Sequence, residues 1–69
     1  MKILLETMRK KRGWSQAELA QRSGVPQPMI SEIERGVVKY PRIDTVTRLA
    51  LALRCAVEDL VSHDEKEGA

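Results

Sequence analysis

The sequence predicts an all-α fold, a compact bundle of five short helices, and three observations carry that expectation. With one Trp, one Tyr and no Phe, an all-β core would lack the aromatic and β-branched side chains that fill a pleated surface. Leu, Ala, Ile, Glu and Arg recur instead at helical spacing, three and four residues apart. Gly13, Gly24 and Gly36 punctuate the chain where the apolar periodicity restarts. Sixty-nine residues make one small domain, because a chain of this length buries only about 60% of its unfolded surface and has no material for a second core.

The first helix is expected over Lys2–Lys11, with Leu4, Leu5 and Met8 inward, ending at Gly13 as a left-handed C′ residue. Trp14 leads to Ser15, an N-cap with Glu18 three residues on, the pattern of a capping box. A second helix then covers Gln16–Ser23, buries Leu19 and Ala20, and stops at Gly24. The third runs from Gln27 to Gly36. Its first turn holds Pro26 and Pro28, which forfeit no intrahelical bond because the N–H groups there are unpaired anyway. Pro28 is expected to push Gln27 out of the helical region. A loop, Val37 to Arg42, precedes a fourth helix opening near Ile43 and Asp44, where Val46, Leu49, Ala50 and Leu53 form an apolar stripe. The last helix, Val57–Ser62, is short, with Leu60 inward. Residues 1–62 therefore form the domain, and 63–69 an acidic tail expected to be disordered.

Charge is unevenly divided: residues 1–54 hold eleven Lys/Arg against five Asp/Glu, and residues 55–69 one against five. A basic body suits an anionic partner, although many basic proteins of this size bind nothing specific. Cys55 is the single cysteine, so no disulfide forms within the chain and a reducing compartment is expected. The amino-terminal apolar run breaks at Glu6 and at Arg9 to Arg12, too early for a signal peptide, and Leu49 to Leu53 is too short to span a bilayer. A soluble, cytoplasmic protein with no membrane association is expected.

Within Gln16–Arg35 the residue types match two short helices crossing steeply over a tight turn. Small Ala20 permits close approach, Gly24 supplies positive φ, and Ile30 with Ile33 seat the second helix on the core. This is a helix-turn-helix. At this point the sequence resembles the phage-repressor and Cro-like helix-turn-helix family, through WSQAELAQRSGVPQPMISEIERG, YPRIDTVTRLALAL and AVEDL, over about Leu5 to Val61. The resemblance implies a lambda-repressor-like domain that binds double-stranded DNA as a homodimer, with no cofactor.

On a helical wheel, Gln27, Pro28, Ser31, Glu32 and Arg35 share one outward face, within about 140° of each other, opposite Ile33. Gln27 can read adenine through N6 and N7, and the family uses this position for base contact; the plainer alternative is an N-capping amide. Glu32 either accepts from cytosine N4 or is a solvated charge bound to Arg35. Pro28 offers only apolar contact with a thymine methyl, and Ser31 a hydroxyl for base or phosphate. Met29 fits core filling as well as base contact. Family resemblance further implies phosphate contacts from Gln16, Arg35, Lys39 and Arg42, with Arg42 at the minor groove, and a structural ion pair between Arg9 and Glu34. Lys10, Lys11 and Arg12 read as a solvated charge run. A weak dimer is expected through Ala56, Val57 and Val61.

Two departures from the family pattern fall at one place. Arg54 stands where relatives carry a C′ glycine and Ala56 where they carry an N-cap serine, each exchange costing roughly 1 kcal/mol. Cys55 between them reads as apolar filler. His63 sits beside Asp64 and Glu65 with no second metal ligand or nucleophile set, so neither catalysis nor metal binding is expected. The competing reading is an antitoxin or accessory protein whose helix-turn-helix meets a protein; only seven polar residues follow Ser62 to cover such a partner.

Overall fold

A computed structural model describes residues 2–62 of the chain; the expected acidic tail and His63 lie outside the described residues. Five helices follow in order, α1 (Leu5–Lys11), α2 (Gln16–Ser23), α3 (Gln27–Glu34), α4 (Ile43–Leu53) and α5 (Val57–Leu60). Two short strands bracket them, β1 (Lys2–Ile3) and β2 (Val61–Ser62), paired antiparallel with Lys2 opposite Ser62 and Ile3 opposite Val61. The all-α expectation stands, closed at its ends by this ladder.

The ladder corrects both outer helices. The first starts at Leu5 rather than Lys2, and the fifth ends at Leu60 rather than Ser62. The Leu4 N–H donates to the Leu60 carbonyl at 2.7 Å, extending the pairing to the start of α1. A four-residue helix and a two-residue strand both fall below the length at which local propensity decides, so pairing between chain ends decides instead.

The core gathers side chains from every helix, four of them from α4. Leu5, Leu19, Val25, Ile30, Ile33, Val46, Leu49, Ala50, Leu53 and Leu60 are buried, with Met8, Trp14, Ala20, Met29, Val38, Cys55 and Val57 packed around them. The expected stripe of α4 is thus realised in full, and Met29 is core filling. Leu4, expected inward, is only half-buried.

Helix ends follow the chain's punctuation with one exception. Ser15 caps α2, its Oγ accepting from the Glu18 N–H at 3.0 Å. The reciprocal half of the expected capping box is replaced: the Glu18 carboxylate takes the Arg22 guanidinium at 2.6 Å, one turn on. Gly24 ends α2 at φ 77, its N–H donating to the Ala20 carbonyl at 2.9 Å. No atom lies within 4 Å of where a Cβ would project, so the positive φ and not crowding calls for glycine.

Candidate nucleic-acid interface

Helices α2 and α3 form the helix-turn-helix, joined by Gly24, Val25 and Pro26. Pro26 is the N-cap of α3 (φ −57, ψ 140), and its carbonyl accepts from the Met29 and Ile30 N–H groups at 3.0 and 3.2 Å. Gln27 is the first helical residue, although Pro28 was expected to exclude it from that region. The pre-proline restriction is a bias of the dipeptide, and seating Ile30 and Ile33 on the core outweighs it. Because no side chain caps α3, the capping alternative for Gln27 is not realised and its amide stands exposed at the helix tip.

The outward face of α3 is as the wheel placed it, with a gradient. Gln27, Pro28 and Arg35 are exposed, whereas Ser31 and Glu32 are half-buried. The Glu32 carbonyl accepts from both Val37 and Val38 N–H groups, at 2.9 and 3.2 Å, so the chain leaving α3 folds back over its last turn. Among the described residues no salt bridge joins Glu32 to Arg35.

Behind that face lies a polar network. Arg9 Nε and Nη2 donate to Glu34 Oε2 and Oε1 at 2.8 and 3.1 Å, a bidentate pair whose side chains are 10% and 5% exposed. Arg9 Nη1 also donates to the Trp14 carbonyl at 2.8 Å, and Gln16 Nε2 to Glu34 Oε1 at 2.9 Å. One carboxylate therefore ties α1, the start of α2 and the end of α3 together. Burial by itself would raise the Glu34 carboxyl, but hydrogen bonds from Arg9 and Gln16 and the charges of Arg9 and Lys10 outweigh it and hold it below the ordinary glutamate value. The hydrogen bond to Glu34 raises Arg9 against the opposing effect of its own burial.

Gln16 thus has a structural bond that its expected phosphate role did not include. One of its two amide N–H donors is committed to Glu34, which leaves the second amide donor and the backbone N–H groups at the helix start free of that bond. In α2 the Glu18 N–H goes to Ser15 Oγ and the Leu19 N–H to the Ser15 carbonyl, so the Gln16 and Ala17 N–H groups are the ones directed outward at the helix start. Sequence reasoning missed the bond; Gln16 and Glu34 are eighteen residues apart, and only the crossing of two helices brings them together.

Lys39 and Arg42 are exposed in the loop before α4. Arg42 is the N-cap of α4 and lies 3.6 Å from the Asp44 carboxylate. Lys10 pairs with Glu6 on the surface of α1 at 3.1 Å. Arg12 leaves the expected solvated run: its guanidinium donates to the Leu53 carbonyl at the end of α4 and lies 5.7 Å from the Trp14 ring, which Arg22 covers at 4.4 Å. Arg12 is therefore structural. The three residues expected at a dimer contact do not share one environment. Ala56 is exposed, Val57 is half-buried against the core, and Val61 is half-buried in the ladder opposite Ile3.

At the α4–α5 junction both exchanged residues occupy the cap positions expected of them. Arg54 holds φ 55, ψ 46, the left-handed conformation at a residue with a Cβ. Ala56 caps α5 without a side-chain acceptor, and the Asp59 carboxylate takes the Ala56 N–H at 3.0 Å in partial compensation. Cys55 packs at the core's edge; burial pushes its thiol up, Asp59 adds to this and Arg12 opposes it. Among the described residues no three His, Cys, Asp or Glu side chains converge on a metal position, and no helix is long and apolar enough to cross a membrane.

Comparison with known proteins bears on the same span. An uncharacterized HTH-type transcriptional regulator of Mycobacterium tuberculosis is 46% identical over 46 residues, 67% of this chain and 32% of that protein. The HTH-type transcriptional regulator SinR of Bacillus licheniformis is 33% identical over 64 residues, 91% of this chain and 58% of that protein. The chain thus spans about a third to three fifths of these relatives' lengths. A crystal structure of SinR, a master regulator for biofilm formation, in complex with DNA superposes with a TM-score of 0.80 at 31% identity, covering 84% of this chain and 92% of that one. With a helix-turn-helix family model matching residues 5–60, and α2 and α3 crossing inside that span, the chain belongs to the helix-turn-helix family.

Proposed function

We propose that this chain is a sequence-specific transcriptional regulator that binds double-stranded DNA in the cytoplasm, sets α3 into the major groove of a palindromic operator, and represses by occluding a promoter. The observation that carries the reading is the unpaired outward face of α3, offered on a helix whose rear is clamped by the Arg9–Glu34–Gln16 network. A side chain reads a base only if its helix is held in one register, and the clamp supplies that. Gln27 reads adenine, Glu32 accepts from cytosine N4, Pro28 meets a thymine methyl, and Ser31 hydrogen-bonds base or backbone. The outward N–H groups of Gln16 and Ala17, with Arg35, Lys39 and Arg42, grip phosphates. Likeness to SinR held on DNA supports this reading.

A single small interface gives little specificity, so two copies act together, their recognition helices about 34 Å apart. Contact runs through Ala56, with Val57 and Val61 contributing what their own core leaves free. Such a patch is small, which makes the dimer weak in solution and dependent on DNA.

Selection of bound sequences from a random duplex library at near-physiological salt tests the proposal. An enriched inverted repeat with centres about one helical turn apart is expected. Salt-sensitive binding without enrichment would overturn it and turn the search to a protein partner.

A further inference from the structure

Four large apolar side chains are strongly exposed: Val37 (62%), Tyr40 (77%), Ile43 (71%) and Leu51 (72%). Three of the four fall within seven residues, in the same segment that carries Lys39 and Arg42. The segment is not a loose tether. Val37 and Val38 N–H groups bond the Glu32 carbonyl at its start, the Val38 side chain packs on the core, and the Arg42 carbonyl accepts from Val46 N–H at its end, 3.0 Å away. Tyr40 stands on the rim of an open cleft of about 470 Å³ shared with Ile3, Ile33, Val38, Arg35 and Lys39. Apolar groups held outward among cations mark a surface that meets something both apolar and anionic. The deoxyribose-phosphate strand is such a surface, with C–H sugar edges between phosphates.

We propose that Tyr40, flanked by Val37 and Ile43, packs on the sugars of the strand whose phosphates Lys39 and Arg42 hold, giving the complex a share of affinity that salt does not screen. This rests on the DNA-binding reading above. A tyrosine ring suits the task because it brings large contact area with only two side-chain torsions to fix. Counterion release belongs to the cations alone, so the two kinds of contact separate by their salt dependence. DNA rather than a protein is the occupant because Lys39 and Arg42 are interleaved with the patch, one on either side of Tyr40, and the patch continues, through Arg35, into the outward face of α3.

The test measures affinity for a mixed-sequence duplex and for the enriched duplex, between about 50 and 200 mM salt, for wild type, Tyr40→Ala, Tyr40→Phe, Lys39→Ala and Leu51→Ala. Tyr40→Ala should bind about five-fold more weakly at every salt concentration with an unchanged slope, the size expected for losing part of a buried ring. Tyr40→Phe should bind as wild type does. Leu51→Ala removes an equally exposed side chain about 12 Å further along α4 and should change nothing, whereas Lys39→Ala should weaken binding with a shallower slope. Wild-type affinity in Tyr40→Ala, a loss that comes with a shallower slope, or an equal loss in Tyr40→Phe would each overturn the proposal. Failure of wild type to bind either duplex would instead bring down the DNA-binding reading itself. All three substituted side chains are exposed, so thermal unfolding should be unchanged, and this is read alongside.

Discussion

Gly24 and Arg54 end their helices in the same backbone conformation, φ 77 and φ 55, yet the regions around them are built to different standards. After Gly24 the turn is unstrained, α2 is capped by Ser15, and Glu34 binds Arg9 and Gln16 across the helix crossing. After Arg54 a side-chain-bearing residue sits in a left-handed conformation and α5 starts from an alanine. The helix-turn-helix is thus braced behind α3, whose outward face is proposed to read bases, and the α4–α5 junction, which holds none of those side chains, tolerates strain. Stability in a small domain is spread unevenly, and well-made turns concentrate where position matters.

The largest effect should come from breaking the clamp. Glu34→Ala leaves the buried Arg9 guanidinium without its carboxylate and should destabilise by about 3 kcal/mol, read by chemical denaturation. A loss below about 1 kcal/mol would mean that the rigidity of the first region comes from apolar packing alone.

Acid should expose the same asymmetry. The Glu34 carboxyl titrates below its unfolded value in the folded protein, so its contribution is fully present above about pH 4.3 and is lost as pH falls through the folded value. Glu34→Gln should flatten that acid limb in a stability-against-pH series; an unchanged limb would assign acid sensitivity to other carboxylates.

Repairing the second region should help by less. Arg54→Gly should stabilise by about 0.5 to 1 kcal/mol, the relief of left-handed strain less the added freedom of the unfolded chain. Ala56→Ser should add about 0.5 kcal/mol through a side-chain cap, a small gain because Asp59 already holds the junction N–H. If neither raises the thermal midpoint, the junction is less strained than its φ value implies.

Smallest in stability and sharpest in function is Glu32→Gln. It should shift stability by under about 0.5 kcal/mol while changing base preference at one position per half-site with the salt slope intact, read by repeating the library selection. An unchanged preferred sequence would make Glu32 a bystander. Two glutamates two residues apart would then differ only in that one is buried.

Much of the first region was legible in the chain. Ser15, Gly24, Pro26 and the Ile30 and Ile33 pair each act over a turn or less, and the boundaries read from them hold at α2 and at the start of α3, which ends at Glu34 rather than at Gly36. Resemblance supplied the Arg9–Glu34 pair, and the structure brings those groups together. What went unread is non-local: the Lys2–Ser62 ladder, the Gln16 amide on Glu34, and Arg12 on the Leu53 carbonyl. Glu18 was misread locally too, since a carboxylate three residues past a cap can serve either the cap or an arginine one turn on.

The sequence by itself determined where α2 begins and ends, where α3 and α4 begin, and which residues face outward on α3, because caps, prolines and a 3.6-residue period act through neighbours in the chain. Tertiary structure alone decided which polar atoms are already spent, that Gln16 serves the clamp and that Val61 serves a strand. It also decided that Tyr40 and Ile43 stand outside the core among cations. Those outcomes depend on loop closure and helix crossing, which bring together groups tens of residues apart and leave no mark on the local pattern of either partner.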